Sequence, residues 1–238
     1  NEYGIAAYKV PNDFAQKEIE FILGIGGITI DYGKALGQEL TLTSLNKEND
    51  AVFLAIGQTG IRSLQLQGED LRGVEAAASY IATLRQTPDK SLLPVGQRVI
   101  VIGGGNTAID IATQVKRLGS EDVTIVYRRG PENMTATNHE QEFAQKNGVR
   151  IKHWSTPTQF LGKNGHVIGV EFEHSNIVAD NKRTYVLPAD QIFLAVGQSL
   201  ERDSIGREIE IKDGRIIVNE NRETSVRGIF AGGDCISG

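Results

Sequence analysis

Six residues near the middle of the chain have the types and spacing to hold a diphosphate. Gly103-Gly104-Gly105-Asn106-Thr107-Ala108 follows the apolar run Arg98-Val99-Ile100-Val101-Ile102. It opens a segment from Asn106 to Leu118 with helical periodicity and a glycine stop at Gly119. Gly103-x-Gly105-x-x-Ala108 is the G-x-G-x-x-A form of the dinucleotide fingerprint. Its first glycine permits a tight turn, Gly105 lets backbone approach a pyrophosphate, and the small third residue lets helix and strand pack closely. The phosphates would sit on the helix N-terminus at Asn106 and Thr107, where free N–H groups and the dipole attract anions. A strand before the motif and a helix after it are the context that gives it weight.

The residues ending the next strand choose between cofactors. An NAD site places Asp or Glu there for the ribose hydroxyls. Here Val123-Thr124-Ile125-Val126-Tyr127 runs into Arg128-Arg129, while Glu121 and Asp122 precede the strand and so mark its other end. Two guanidiniums suit a 2′-phosphate through forked, charge-assisted hydrogen bonds. The reading is NADP(H) over NAD(H).

Other chemistries find little support. Cys235 is the single cysteine, which excludes an internal disulfide, a CxxC redox pair and a thiolate cluster. His139, His153, His166 and His174 share no ligand spacing, and no G-x-S-x-G elbow is present. Gly24-Ile25-Gly26-Gly27 follows a helix and precedes an apolar stretch, the reverse of the fingerprint order, and reads as a C-cap and turn. Trp154 reads as core. No catalytic acid or base and no metal ligand is named.

The elements that must position these residues are those of an α/β chain. Its 238 residues suffice for one large or two small domains. Thirty acidic residues against 25 basic ones give a net charge of −5, a poor basis for non-specific nucleic-acid binding. No apolar run reaches the roughly 20 residues that span a bilayer. The sequence predicts a helix after Pro11 ending at Gly24, a short strand at Ile28-Thr29-Ile30 and a short helix from Thr41 to Lys47. Ala51 to Ile56 reads as a buried parallel strand and Glu75 to Arg85 as a helix. The strand, glycine turn, helix and strand over 98–127 form a βαβ unit. A helix is predicted from Thr137 to Lys146, then β-rich segments from Val149 to Leu187 with a hairpin turn at Asn164-Gly165, and a buried strand from Asp190 to Val196. A second hairpin turn is read at Asp213-Gly214. Leu54-Ala55-Ile56-Gly57-Gln58 and Leu194-Ala195-Val196-Gly197-Gln198 are near-copies. They read as matching strand-to-glycine exits of two nucleotide-binding domains, at Gly57 and Gly197.

The tail Gly228-Ile229-Phe230-Ala231-Gly232-Gly233-Asp234 is similar to the second flavin motif of flavoproteins with two dinucleotide-binding domains. With Tyr8-Lys9-Val10-Pro11, Gly68-Glu69-Asp70-Leu71, the glycine turn and Val126-Tyr127-Arg128-Arg129, the whole chain resembles one group of them. That group comprises glutamate synthase small (beta) subunits and the NAD(P)H-oxidising part of dihydropyrimidine dehydrogenases. The resemblance implies that Gly233 and Asp234 meet FAD, the aspartate on its ribityl chain. It implies an α/β fold in which a Rossmann-like NADP(H)-binding domain, a βαβ parallel sheet with a β-meander, is inserted in a partial FAD-binding domain. The expected boundaries are 1–93 for the end of the first FAD half with a linker helix, 94–197 for the NADP(H) domain and 198–238 for a second FAD segment. The implied activity is NADPH oxidation by a cytoplasmic flavoprotein, passing hydride to FAD and electrons to iron–sulfur centres and a partner subunit or domain. Pyrimidine reduction and a non-enzymatic NADP(H)-binding module are the alternatives. The family's flavin glycine turn and cysteine-rich iron–sulfur domain would precede Asn1. The chain is therefore expected to be a piece of a longer protein, colourless alone and binding NADPH but not FAD.

Overall fold

The computed structural model describes residues 3–10, 13–58, 60–175 and 183–236; Pro11, the predicted helix start, lies outside them. The chain divides into two compact units, residues 1–25 with 63–196, and residues 26–62 with 197–238.

The first unit contains α1 (Phe14–Leu23), β1 (Val74–Ala76), α2 (Ala77–Gln86), β2 (Arg98–Ile102), α3 (Asn106–Arg117) and β3 (Asp122–Val126). After these come α4 (Asn138–Lys146), β4 (Arg150–Lys152), β5 (Ser155–Lys163), β6 (His166–His174), β7 (Thr184–Pro188) and β8 (Gln191–Leu194). Five strands form a wholly parallel sheet in the order β1-β8-β2-β3-β4, and β5-β6-β7 form an antiparallel sheet. Along β2, Val99 and Val101 pack with Ile109, Ile111 and Val115 of α3, whereas Ile100 and Ile102 pack with Phe160, Val170 and Phe172 of the antiparallel sheet. Burial on both faces explains why this strand is apolar at successive positions instead of alternating. Asn164 and Gly165 join β5 to β6 with φ of +54° and +77°, the left-handed pair of a two-residue hairpin.

The β1 edge of this sheet departs from the sequence reading. Glu75 belongs to β1, not to a helix; its carboxylate accepts from Gln191 Nε2 at 2.8 Å beside the β1–β8 pairing. Because β1 and α2 complete this sheet and its helical layer, the chain divides at 62/63, well before the expected boundary at 93/94.

The β2–β8 edge is clamped by Asp190, which accepts from Arg98 N at 3.1 Å, Nε at 3.2 Å and Nη2 at 2.5 Å. The Arg98 hydrogen bonds hold the Asp190 carboxyl below its ordinary range, outweighing burial. Both side chains are partly exposed, so Asp190→Asn should cost less than about 1 kcal/mol at pH 7. A depressed carboxyl stabilises the fold above its unfolded-state pKa and loses that contribution as pH falls. Urea unfolding should therefore separate variant and wild type at pH 7 and bring them together near pH 3. A gap persisting in acid would exclude the ion pair as its cause.

In the second unit, Val52–Leu54 pairs in parallel with Ile229–Ala231. Ile211–Lys212 and Arg215–Ile216 form a hairpin turning at Asp213 and Gly214, and Gly60–Ile61 pairs antiparallel with Gln198–Ser199. Thr41 and Ser44 cap the helix Leu42–Glu48 reciprocally. Leu42, Leu54, Ile205, Ile209, Ile216, Ile229 and Cys235 make the core. The apolar run at 51–56 is buried on one face only: Leu54 is 3% exposed and Phe53 62%, because the core lies on one side of the strand pair. Ile28-Thr29-Ile30 forms no strand, and both isoleucines are exposed. β-propensity without a pairing partner does not make a strand.

Candidate functional site

The glycine turn leaves the carboxyl end of β2, and each of its three glycines answers a different demand. Gly103 has φ +151°, and its N–H donates to Val126 O at 3.1 Å. A Cβ there would lie 2.3 Å from Ala195 O, so this glycine lets the turn meet the exit of β8. A Cβ on Gly104 would stand 2.5 Å from the Tyr127 ring, whose hydroxyl donates to Asn133 O at 2.8 Å. Gly105 differs from both. Its φ of −100° and ψ of −179° are open to any residue, and a Cβ would meet only Thr135 Oγ1, at 3.2 Å. Backbone geometry does not require a glycine here, and a Cβ would need the Thr135 hydroxyl to move by only a few tenths of an ångström.

Gly105 is the N-cap of α3 and supplies no capping side chain, and the helix has no acidic residue in its first turn. Its carbonyl accepts from Ala108 and Ile109, while the N–H groups of the exposed Asn106 and Thr107 find no acceptor among the described residues. Ala108 is fully buried, as close helix–sheet packing demands. The result is a positively polarised helix end whose first N–H groups have no acceptor among the described residues.

Arg128 and Arg129 follow the carboxyl end of β3, the strand beside β2, with Ile102 and Val126 in register. Their main chain is fixed. Tyr127 N donates to Lys152 O at 2.8 Å, Ser155 N to Tyr127 O at 3.1 Å and Trp154 N to Arg129 O at 3.2 Å. Both arginine side chains are exposed and make no ion pair or hydrogen bond among the described residues. Asp122, at the opposite end of β3, is ion-paired with Arg150.

The sequence reading gave several residues around the turn no part in the site. Thr135 faces Gly105, Ala136 N donates to Gly104 O at 3.1 Å, and Tyr127 covers Gly104. Trp154, read as core, is half-buried with φ +56°, its ring against Gly130 in the arginine loop. His153 Nε2 lies 3.3 Å from Met134 Sδ; burial pushes its pKa down, opposed by Glu132. The signal for these residues was their position directly after the arginine pair and the strand that follows it.

The fold thus brings Gly103, Gly105, Asn106, Thr107, Arg128 and Arg129 to one end of the first unit's parallel sheet. Gly57, Gly197, Gly233 and Asp234 belong to the second unit. Gly57, Gly197 and Gly233 have φ of +62°, +100° and +77°. Beyond its chain neighbours, no atom of the described residues lies within 4 Å of a Cβ at Gly57 or Gly233, and Asp234 is exposed in a short 3-10 turn.

Residues 4–238 match the family model for pyridine nucleotide-disulphide oxidoreductases. The chain belongs to that family. Glutamate synthase [NADPH] small chain of Escherichia coli K12 is 31% identical over 268 residues, 99% of this chain and 56% of its own length. PreT, the NAD-dependent dihydropyrimidine dehydrogenase subunit of the same organism, is 31% identical over 235 residues, 99% of this chain and 53% of its own. These are the two groups to which the motifs pointed. FprA of Mycobacterium tuberculosis, solved in complex with NADPH, shares the fold with a TM-score of 0.76 at 20% identity, over 99% of this chain and 69% of that one. The chain spans between 35% and 56% of the length of the first curated relatives it matches. The 238 residues include one cysteine. Cys235 is buried, and its thiol donates to Gly232 O at 3.1 Å.

Proposed function

We propose that the first unit binds NADP(H) and that the whole protein oxidises NADPH, delivering hydride to FAD and electrons to iron–sulfur centres and a partner subunit or domain. The observation carrying this reading is the unstrained Gly105 before an open, uncapped helix end. The glycine serves something outside the protein's own packing, and a diphosphate suits a free helix N-terminus.

In this reading the N–H groups of Asn106 and Thr107 hold the diphosphate, and Gly103 sets the turn. Arg128 and Arg129, at the carboxyl end of the adjacent strand, take the 2′-phosphate. The second unit is the flavin side, with Gly57 and Gly197 at the strand exits and Gly233 and Asp234 toward the ribityl chain. The pair of cofactors supplies hydride chemistry when bound, and the protein's part is placement. No group of three or more His, Cys, Asp or Glu among the described residues could hold a metal ion, and the iron–sulfur centres are assigned to the rest of the protein or its partner. Among the described residues no helix is long and apolar enough to cross a membrane, and a cytoplasmic location is part of the proposal.

A second reading, with a pyrimidine as final acceptor, draws on the similarity to PreT. The two relatives are named for different nucleotides, and the arginine pair favours NADP(H). Calorimetric titration of the purified chain with NADP+ and NAD+ tests this directly. NADP+ should bind at least about tenfold more tightly, the worth of one charge-assisted hydrogen bond. Equal affinities would remove the arginine argument, and binding of neither would remove the dinucleotide site.

A further inference from the structure

The residues ahead of α1 form a charged cluster that nucleotide binding, as read above, does not use. Tyr8 Oη donates to Asp110 Oδ1 at 2.9 Å. Lys9 Nζ lies 2.7 Å from Asp110 Oδ1 and 2.5 Å from Glu140 Oε1. The Tyr8 ring is 5.2 Å from that of Phe143, with the Arg117 guanidinium 5.1 Å over each ring. Arg85 Nη1 donates to Val10 O at 3.0 Å. Residues 8–10 therefore touch α2, α3 and α4.

Asp110 is only 4% exposed, and the side chains of Lys9 and Glu140 are 25% and 19% exposed. Three charges this deep are costly unless mutually paired, and burial of an ion pair is weak evidence of a stabilising role. Burial lowers the Lys9 pKa, but its hydrogen bonds to Asp110 and Glu140 outweigh this and keep it above the ordinary value.

The position of the cluster suggests its use. Asp110 lies one turn into α3 from the open N-terminal end at Asn106. Glu140 lies in the first turn of α4, whose N-cap Thr137 accepts from Glu140 N at 3.3 Å. Directly before it, Ala136 N donates to Gly104 O, Ala136 O accepts from Gln141 Nε2, and Thr135 faces Gly105. We propose that Lys9 is a positioning residue for the dinucleotide: by tying Asp110 of α3 to Glu140 of α4, it holds Thr135 and Ala136 against the phosphate turn. This rests on the NADP(H) reading of that turn.

The charged and titratable groups meeting at the tie are Tyr8 and Lys9 from the N-terminal segment, Asp110 and Arg117 from α3, and Glu140 from α4. Arg117 stacks on the rings and donates to Asn147 Oδ1 at 3.0 Å, so it does not stand in for Lys9. Glu140 Oε2 is buried with no hydrogen-bond partner among the described residues. Without Lys9, two carboxylates face each other in a shared, largely buried site. Such a pair repels while both members are ionised, and protonation of either relieves the repulsion.

The test compares wild type, Lys9→Met, Lys9→Arg and Lys9→Met/Glu140→Gln by NADP+ titration from pH 5 to 8. Amide hydrogen exchange at Ala136 is measured without nucleotide. Relative to wild type, Lys9→Met should bind NADP+ roughly tenfold more weakly at pH 8, an ordinary strength for coupling between separate sites. The deficit should shrink toward pH 5. The double variant should recover most of it, and Lys9→Arg should stay near wild type. Exchange at Ala136 should quicken in Lys9→Met and slow again in the double variant. Wild-type affinity and exchange in Lys9→Met would overturn the proposal. So would a deficit independent of pH that Glu140→Gln does not relieve, or a Lys9→Met protein that fails to fold with or without Glu140→Gln, since each describes a purely structural lysine. If wild type binds no NADP+, the dinucleotide reading fails, and the Ala136 exchange still decides whether Lys9 holds the loop.

Discussion

Gly105→Val protein is expected to fold like wild type and to bind no NADP(H). Valine tolerates the extended backbone found at Gly105, and its Cβ would meet only Thr135 Oγ1, at 3.2 Å. Its two methyl groups would enter the space before the helix end and deny a diphosphate access to the N–H groups of Asn106 and Thr107. Losing two hydrogen bonds to a charged group costs about 3–6 kcal/mol, or roughly 150-fold and more in affinity. Calorimetry and thermal unfolding together check the claim. Gly103→Ala is the counterpart. Its Cβ would lie 2.3 Å from Ala195 O at φ +151°, and overpacking of this kind costs about 1–3 kcal/mol of stability. Gly103→Ala should therefore lower the melting temperature clearly, and Gly105→Val should not. An unfolded Gly105→Val protein would mean that Gly105 is an ordinary structural turn.

Arg128→Ala and Arg129→Ala are expected to discriminate between nucleotides. Both guanidiniums are exposed, and neither has an ion pair or hydrogen bond among the described residues. Truncation should leave stability within about 0.5 kcal/mol of wild type, as for surface positions generally. One lost bond to a 2′-phosphate costs about 1.5–3 kcal/mol, or roughly 10- to 150-fold in NADP+ affinity, while NAD+ affinity should hardly move. Equal weakening of both would place the arginines on the shared diphosphate. If NADP+ affinity is unchanged, neither arginine contacts the nucleotide.

The candidate site was legible because its parts are close together in sequence. The strand at 98–102, the glycine turn and the helix beginning at Asn106 form one continuous stretch, and local periodicity sets each part. A parallel strand's direction follows from chain order, so the arginine pair could be assigned to the carboxyl end of β3 and Asp122 to the other end. The hairpin turns at Asn164-Gly165 and Asp213-Gly214 were equally local, since a two-residue turn depends on residues that accept positive φ.

What the sequence determined by itself was therefore the βαβ unit, its glycine turn, the arginine pair at its carboxyl end and the family. The tertiary structure alone decided that Glu75 lies in a strand, that Ile28 to Ile30 lies in none and that Phe53 points outward. These outcomes depend on which distant segment arrives to pair or to cover, and local patterning carries no record of that. The reasons for the glycines are of the same kind: Gly103 is needed because of Ala195, Gly104 because of Tyr127, and only Gly105 is left for a ligand. The Lys9 tie to Asp110 and Glu140 also appears only on folding. A buried charge is tolerated when its counter-charges converge from other elements, and such convergence is a property of packing in three dimensions.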